Sequence, residues 1–230
     1  MSERLDLHGL DLHLDESPRD IPPLEGDLIH HRNYDVQVVR EARDRMRLRG
    51  TVTDRKPPGL YFDGDDRSLV VHHMVVDLVV AFPTMEILDT IVHLETHPHS
   101  ICRRIEDHYD HLVGLSIARG FTHKVRELFG GPRGCTHTTA LLLAMAPAAI
   151  QAVWSMVPPG ERPDLPDPEL PMSAEEIRQR FAFSLNTCHV WDETGDFVRE
   201  TATTGEVEIP LWAIKRSKEL GRPAEEWINR

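Results

Sequence analysis

The stretch GGPRGCTH, residues 130–137, brings Arg133, Cys135 and His137 close together at the front of the apolar run TTALLLAMAPAAIQAVW. Glycines let a backbone turn sharply. Thr136 or Thr138 is the expected N-cap of the helix that follows. Either choice puts the thiol and the imidazole within about a turn of the helix N-terminus. The positive end of the helix dipole, with Arg133, would favour a thiolate there. Free N–H groups at the same end can hold a carboxylate, a phosphate or a developing oxyanion. A polar mouth walled by an apolar helix is the usual make-up of a small-molecule pocket. The competing reading is structural: Cys135 packs, His137 bonds the turn and Arg133 pairs with an acid.

A second set of residues could also do chemistry. Six of the 14 histidines fall between His93 and His123. His73, Asp77, Asp89, His93 and Glu95 share one face of a predicted hairpin. His108 falls on the buried stripe of the next expected helix, with Tyr109 beside it. Charged groups facing a core are costly unless paired or functional. A general acid/base pair would suit the setting, and so would a metal held by imidazole and carboxylate. On this reading His137, Cys135, Arg133, His73 and His108 are the candidate catalytic residues. Asp77, His93, Glu95 and Tyr109 are candidates for contact with substrate. The bland alternative is a solvated face, with His97, His99 and His111 exposed. A Cys2His2 zinc site from Cys135, His137, Cys188 and His189 is weaker, because neither half has CxxC or HxxxH spacing.

The elements that must position these groups can be read from periodicity. Residues 34–54 read as a long or bent strand folded into a hairpin: Val36, Val38, Met46, Leu48 and Val52 share one parity, with Arg43, Arg45, Arg47 and Arg49 opposite. Residues 68–95 form a second hairpin, broken at Pro83-Thr84. If like faces pair, His73 lies opposite Glu95 and Asp77 opposite Ile91. A third hairpin is expected over 184–202, turning at Glu193-Thr-Gly195. A helix is expected over 98–114, with Ile101, Ile105, His108 and Leu112 as its buried stripe. A short helix over 122–129 ends at Gly130-Gly131. A buried helix over 138–157 should kink at Pro147. Ser173 and Glu176 have the spacing of a capping box, and a last helix runs over 210–220.

Strands and helices fall in separate blocks, so the fold class is α+β: an antiparallel sheet against a kinked buried helix and shorter helices. The chain divides into an extended arm (1–26), an α+β core (27–157), a Pro-rich strap (158–171) and a C-terminal part (172–230) that completes the same domain. The arm makes a homodimer an option.

Composition narrows the function class. A net charge of −12 with no basic stripe argues against nucleic acid and against an anionic membrane surface. MSERLDLHG lacks the apolar run of a secretory signal. Three widely spaced cysteines fit a reducing, cytoplasmic setting. Residues 140–157 are borderline for a membrane span and carry no basic flank, so they read as a core helix. Neither GxGxxG after a strand, GxxxxGK[ST], GxSxG nor HExxH occurs. The Rossmann, P-loop, α/β-hydrolase and zincin readings lose most of their weight.

The runs RNYDVQVVRE and MRLRGTVTD, the strand LVVHHMVVDLVV, the block GFTHKVRELFGGPRGCTH and the later NTCHVW resemble a bacterial family catalogued as domain of unknown function 2889. The resemblance spans roughly residues 28–200, with Gly-Cys-Thr-His its most specific part. It implies a place in the catabolism of aromatic or otherwise hydrophobic compounds. One branch includes lyases that release formaldehyde from a hydroxymethyl side chain of lignin-like phenolic dimers. Of the family's motif, Arg133, Cys135 and His137 carry over.

The leading expectation is therefore an enzyme on a small, hydrophobic, aromatic alcohol, using acid/base or lyase chemistry without a cofactor. The alternatives are a metal-dependent hydrolase or lyase built on the histidine-and-carboxylate set, and a non-catalytic ligand-binding module.

Overall fold

The computed structural model describes residues 22–157, 173–204 and 207–227. Most of the expected arm and the whole Pro-rich strap lie outside the described residues. Contacts divide the chain into two units. One spans Leu28–Glu206, and the other joins the described residues of the two ends.

The larger unit is built on a four-stranded antiparallel sheet whose strands lie side by side in chain order. Strands β1 (His31–Ala42) and β2 (Arg45–Lys56) form the first hairpin. Strands β3 (Leu69–Ala81) and β4 (Ile87–Thr96) form the second. Period-2 alternation puts Met46, Leu48, Val52, Met74, Val76, Leu78, Val80, Val92 and Leu94 into the buried core. Helix α2 (Thr136–Met156) lies against β1, β2 and β3, turning Leu141, Leu142, Met145 and Ala149 inward. Gly50 makes this approach possible. A Cβ there would sit 2.6 Å from Met145 Sδ and 2.8 Å from its Cγ. The fold is α+β, as the block-wise pattern indicates. Helix α2 is long and apolar enough to cross a bilayer, and it runs through Pro147 without a break.

The expected register holds in the middle of the second hairpin, where Asp77 faces Ile91. It slips at the end. A bulge between His73 and Met74 sets His73 opposite Thr96 rather than Glu95.

Two expected elements are corrected. The segment expected as a helix over 98–114 is a 3-10 helix, Cys102–Leu112, and not an α-helix. Three residues per turn move the inward stripe. Tyr109 and Leu112 are buried, while Ile101 is 61% exposed. Glu106 Oε1 accepts the Leu94 N–H at 2.6 Å and so anchors this segment on β4. The third hairpin does not form. Residues 181–191 turn repeatedly and α4 (Asp196–Thr204) follows. Local polar groups take the backbone bonds a ladder would need. Asn186 Oδ1 accepts the Glu193 N–H at 3.1 Å, and Asp192 Oδ1 accepts the Thr194 N–H at 2.8 Å.

Helix α1 (Phe121–Phe129) ends at Gly130, and α3 (Ala174–Arg180) starts from the expected Ser173–Glu176 capping box. In the smaller unit, α5 (Leu211–Glu219) matches the expected last helix.

Candidate functional site

The sheet places three polar residues in one row on its helix-covered face. Arg32 of β1 pairs directly with Asp54 of β2, and Asp54 pairs directly with His72 of β3. Each extends an apolar parity: Asp54 follows Met46, Leu48 and Val52, and His72 precedes Met74, Val76 and Leu78. Helix α2 brings its first turn over this row and adds His137.

The centre is Asp54, 1% exposed. Arg32 grips it with a fork, Nε to Oδ1 at 2.6 Å and Nη2 to Oδ2 at 2.7 Å. Two imidazoles converge on Oδ2: His72 Nδ1 at 3.1 Å and His137 Nε2 at 3.2 Å. His30 Nε2 approaches Oδ1 at 3.3 Å. The His72 and His137 rings stack, with centroids 3.8 Å apart.

The electrostatics follow from this packing. The fork of Arg32 holds the Asp54 carboxyl far below the usual carboxylate range, against the opposing effect of burial. Burial lowers His137, and Arg32 lowers it further. Burial also lowers His72, with His137 as its next neighbour in effect. Both rings are therefore neutral at pH 7. An ionised carboxylate can only accept, so each ring's facing nitrogen carries the proton. That fixes both tautomers. His72 Nε2 is left as an acceptor without a partner among the described residues, and His137 Nδ1 looks toward Cys135 Sγ at 3.8 Å.

The turn before α2 is built for close quarters. Gly134 leaves no room for a Cβ, which would sit 2.5 Å from Phe129 O. Cys135, and neither threonine, occupies the N-cap position, and no side chain caps the helix there. Instead the buried Tyr109 hydroxyl accepts the Cys135 N–H at 2.8 Å. Burial raises the Tyr109 phenol and keeps it protonated. Tyr109 thus fixes the turn, in place of the expected contact with substrate.

Of the expected site residues, the structure joins His137 and Cys135, bonds Tyr109 to the Cys135 N–H, and separates the others from them. Arg133 donates to Arg126 O at 3.1 Å and tidies the end of α1. His108 stacks edge-on against Phe129 and, with Arg133, lines an open groove of about 480 Å³ between the 3-10 segment and α1. His73, Asp77, His93 and Glu95 belong to the other parity, on the face away from α2. Asp77 there is paired with its cross-strand neighbour Arg49, Nε to Oδ1 at 2.7 Å. Cys188 and His189 are exposed turn residues and have no place in the cluster. Asp54, His72 and Arg32 escape a reading that looks for polar faces. Their signal is a lone polar residue at the end of an apolar parity.

Residues 30–151 match the family described as protein of unknown function, DUF2889. The match covers just over half of the 230 residues. The chain belongs to the DUF2889 family. The matched segment of this DUF2889 protein contains the whole cluster, from His30 to His137. No curated protein and no solved structure matches the chain.

Three atoms of this DUF2889 protein's site, one each from Asp54, His72 and His137, lie within 4.8 Å of one another. They are suited to a metal ion as well as to proton transfer. Neutral imidazoles oriented by a buried carboxylate are a general base in waiting.

Proposed function

We propose that this DUF2889 protein is a lyase that acts by acid/base chemistry on a small, hydrophobic aromatic alcohol and releases formaldehyde. The observation that carries the acid/base part is the pair of imidazoles converging on Asp54 Oδ2. The substrate class rests on the family resemblance.

In that reaction a base removes the proton of a primary hydroxyl. The bond between the hydroxymethyl carbon and its neighbour breaks, and the C–O bond becomes the carbonyl of formaldehyde. The electron pair passes to the neighbouring carbon, where a conjugated aromatic group delocalises it, and a proton is then returned. His72 Nε2, free of Asp54, takes the hydroxyl proton. Asp54 holds the ring and stabilises the imidazolium that forms. The first-turn N–H groups of α2 stand ready for developing negative charge. Arg32 positions Asp54 and is not itself free to hold the anion.

The test is a screen of phenolic primary alcohols for formaldehyde, run with wild type, His72→Ala, His137→Ala and His73→Ala. Loss of a general base lowers kcat/KM by about 100-fold or more. The first two variants should show this and the third should not. No formaldehyde from any such alcohol, or full activity in both His72→Ala and His137→Ala, defeats the reading.

A further inference from the structure

We propose that Asp54, His72 and His137 are the three protein ligands of a divalent transition-metal ion of the zinc or iron(II) class. The inference deepens the proposed function by naming a cofactor for the same site. What the ion does for the substrate rests on that reading, but its binding does not.

The first argument is the shape of the donor set. Tetrahedral zinc with bonds of about 2.0 Å places its ligand atoms roughly 3.3 Å apart. The separations here are 3.1 Å from Oδ2 to His72 Nδ1 and 3.2 Å from Oδ2 to His137 Nε2. One ligand atom from each residue lies within 4.8 Å of the others, and an ion among the three requires the stacked rings to tilt apart so that both lone pairs point at it. Two imidazoles and one carboxylate, with the remaining positions open, is a common set for both metals.

The second argument is crowding on one oxygen. Asp54 Oδ2 receives Arg32 Nη2, His72 Nδ1 and His137 Nε2 together. A carboxylate oxygen offers two lone pairs. Three N–H groups on it exceed that number. A cation between the rings would take the places of the protons on His72 Nδ1 and His137 Nε2, each ring then carrying its N–H on the other nitrogen, and would leave Oδ2 with one N–H and one metal bond.

The third argument is the support around the set. The ligands come from β2, β3 and the first turn of α2, so the fold itself fixes their spacing. The Arg32 fork locks the orientation of the carboxylate, as second-layer partners of metal ligands do. Both rings stay partly accessible, at 21% and 19%, which leaves a path for water and substrate. With an ion on Nδ1, His72 Nε2 would carry the ring's proton, and the hydroxide formed from a water on the open position would take the hydroxyl proton in its place.

The experiment is a titration of chelator-treated full-length protein with Co2+, read by its visible d–d bands, with Zn2+ competition. One equivalent of Co2+ should bind with the intense bands of a low-coordinate site, and Zn2+ should displace it. His72→Ala and His137→Ala should each weaken Co2+ binding by more than about 100-fold, beyond the 10–100-fold that outer-layer partners give. His73→Ala should bind as wild type does. A second readout needs no variant: imidazole 15N NMR of the wild type should show His72 Nδ1 and His137 Nε2 change from protonated to metal-bound on addition of Zn2+, with the N–H of each ring moving to its other nitrogen. The absence of saturable Co2+ binding, or binding that survives loss of both histidines, overturns the proposal, and so do unaltered ring signals. If Co2+ binds as described but His72→Ala retains formaldehyde release, the proposed function falls and the metal site stands. If nothing binds and His72→Ala is inactive, only the metal inference falls.

Discussion

His72 and His137 stack face to face, 3.8 Å between ring centroids, although one belongs to the third strand and the other to the first turn of a helix 65 positions later. Both rings rest on a carboxylate from a third element. The contact exists only because α2 enters directly over the row Arg32–Asp54–His72.

Adjacent histidines on one strand should behave as opposites. His72 points to the helix-covered face and His73 to the other. His72→Ala should cost about 100-fold or more in kcat/KM, the typical loss for a general base. His73→Ala and Asp77→Ala should change it less than about threefold, since both lie on the face away from the cluster, where Asp77 is buried and paired with Arg49. Steady-state kinetics of the three variants, once a substrate is found, decide this. Equal losses at His72 and His73 would mean that both faces take part.

Tyr109 should matter for the turn and not for the chemistry. Tyr109→Phe keeps the ring stacked on Phe129, at 4.7 Å between centroids, but removes the acceptor of the Cys135 N–H. A donor left without its partner costs about 1–3 kcal/mol. Urea denaturation should show that loss with an unchanged slope. A variant as stable as wild type would show that the hydroxyl carries no such bond.

The seat of α2 on the sheet should be intolerant of even one methyl group. Gly50→Ala drives a Cβ into Met145, itself fully buried. Overpacking of this kind costs about 1–3 kcal/mol. The same variant should disturb His137, because α2 carries it. Thermal denaturation together with the Co2+ titration separates the two effects: the stability loss alone would mean that the helix shifts at its far end.

Stability without metal should fall on the acid side in two stages. Burial holds His72 and His137 below their ordinary range, and Arg32 holds Asp54 below its own. In the unfolded chain the imidazoles take protons near pH ~6.5 and the carboxylate near ~3.9. A lowered folded value means the contribution is complete above the unfolded value and is lost as pH falls through the folded one. The protein in chelator should therefore lose stability first below about pH 6.5, from the histidines, and again below about pH 4, from Asp54. The double variant His72→Ala/His137→Ala should flatten the first stage and leave the second. A Tm profile that does not differ between the two proteins over the first stage would contradict this assignment.

The α+β class, the first two hairpins, α1 with its glycine end, the Ser173 capping box and the helix behind Cys135 were all legible in one dimension. Each depends on neighbours close in sequence: alternation in strands, glycine after a helix, Ser three residues before Glu. The 3-10 segment was not legible, because the apolar spacing at Ile101, Ile105 and Leu112 fits a helix of nearly the same period. The third hairpin failed because Asn186 and Asp192 capture backbone groups locally, which period-2 reasoning does not weigh.

For the site, sequence determined that Cys135 and His137 stand together at the start of an apolar helix. It also determined that each strand has two faces, and which residues share a face. It did not determine which face α2 would cover, because alternation is symmetric until something packs on one side. The packing was decided by the sheet's apolar parity and by the gap at Gly50, which admits Met145 and Leu141. Once the helix sits there, the polar residues closing that parity become the functional row. The opposite face, with Asp77 and Val79 buried on it, stays clear of α2. Asp54, Arg32 and His72 therefore owe their role to tertiary structure, and His137 is the one member that the local sequence already set in place.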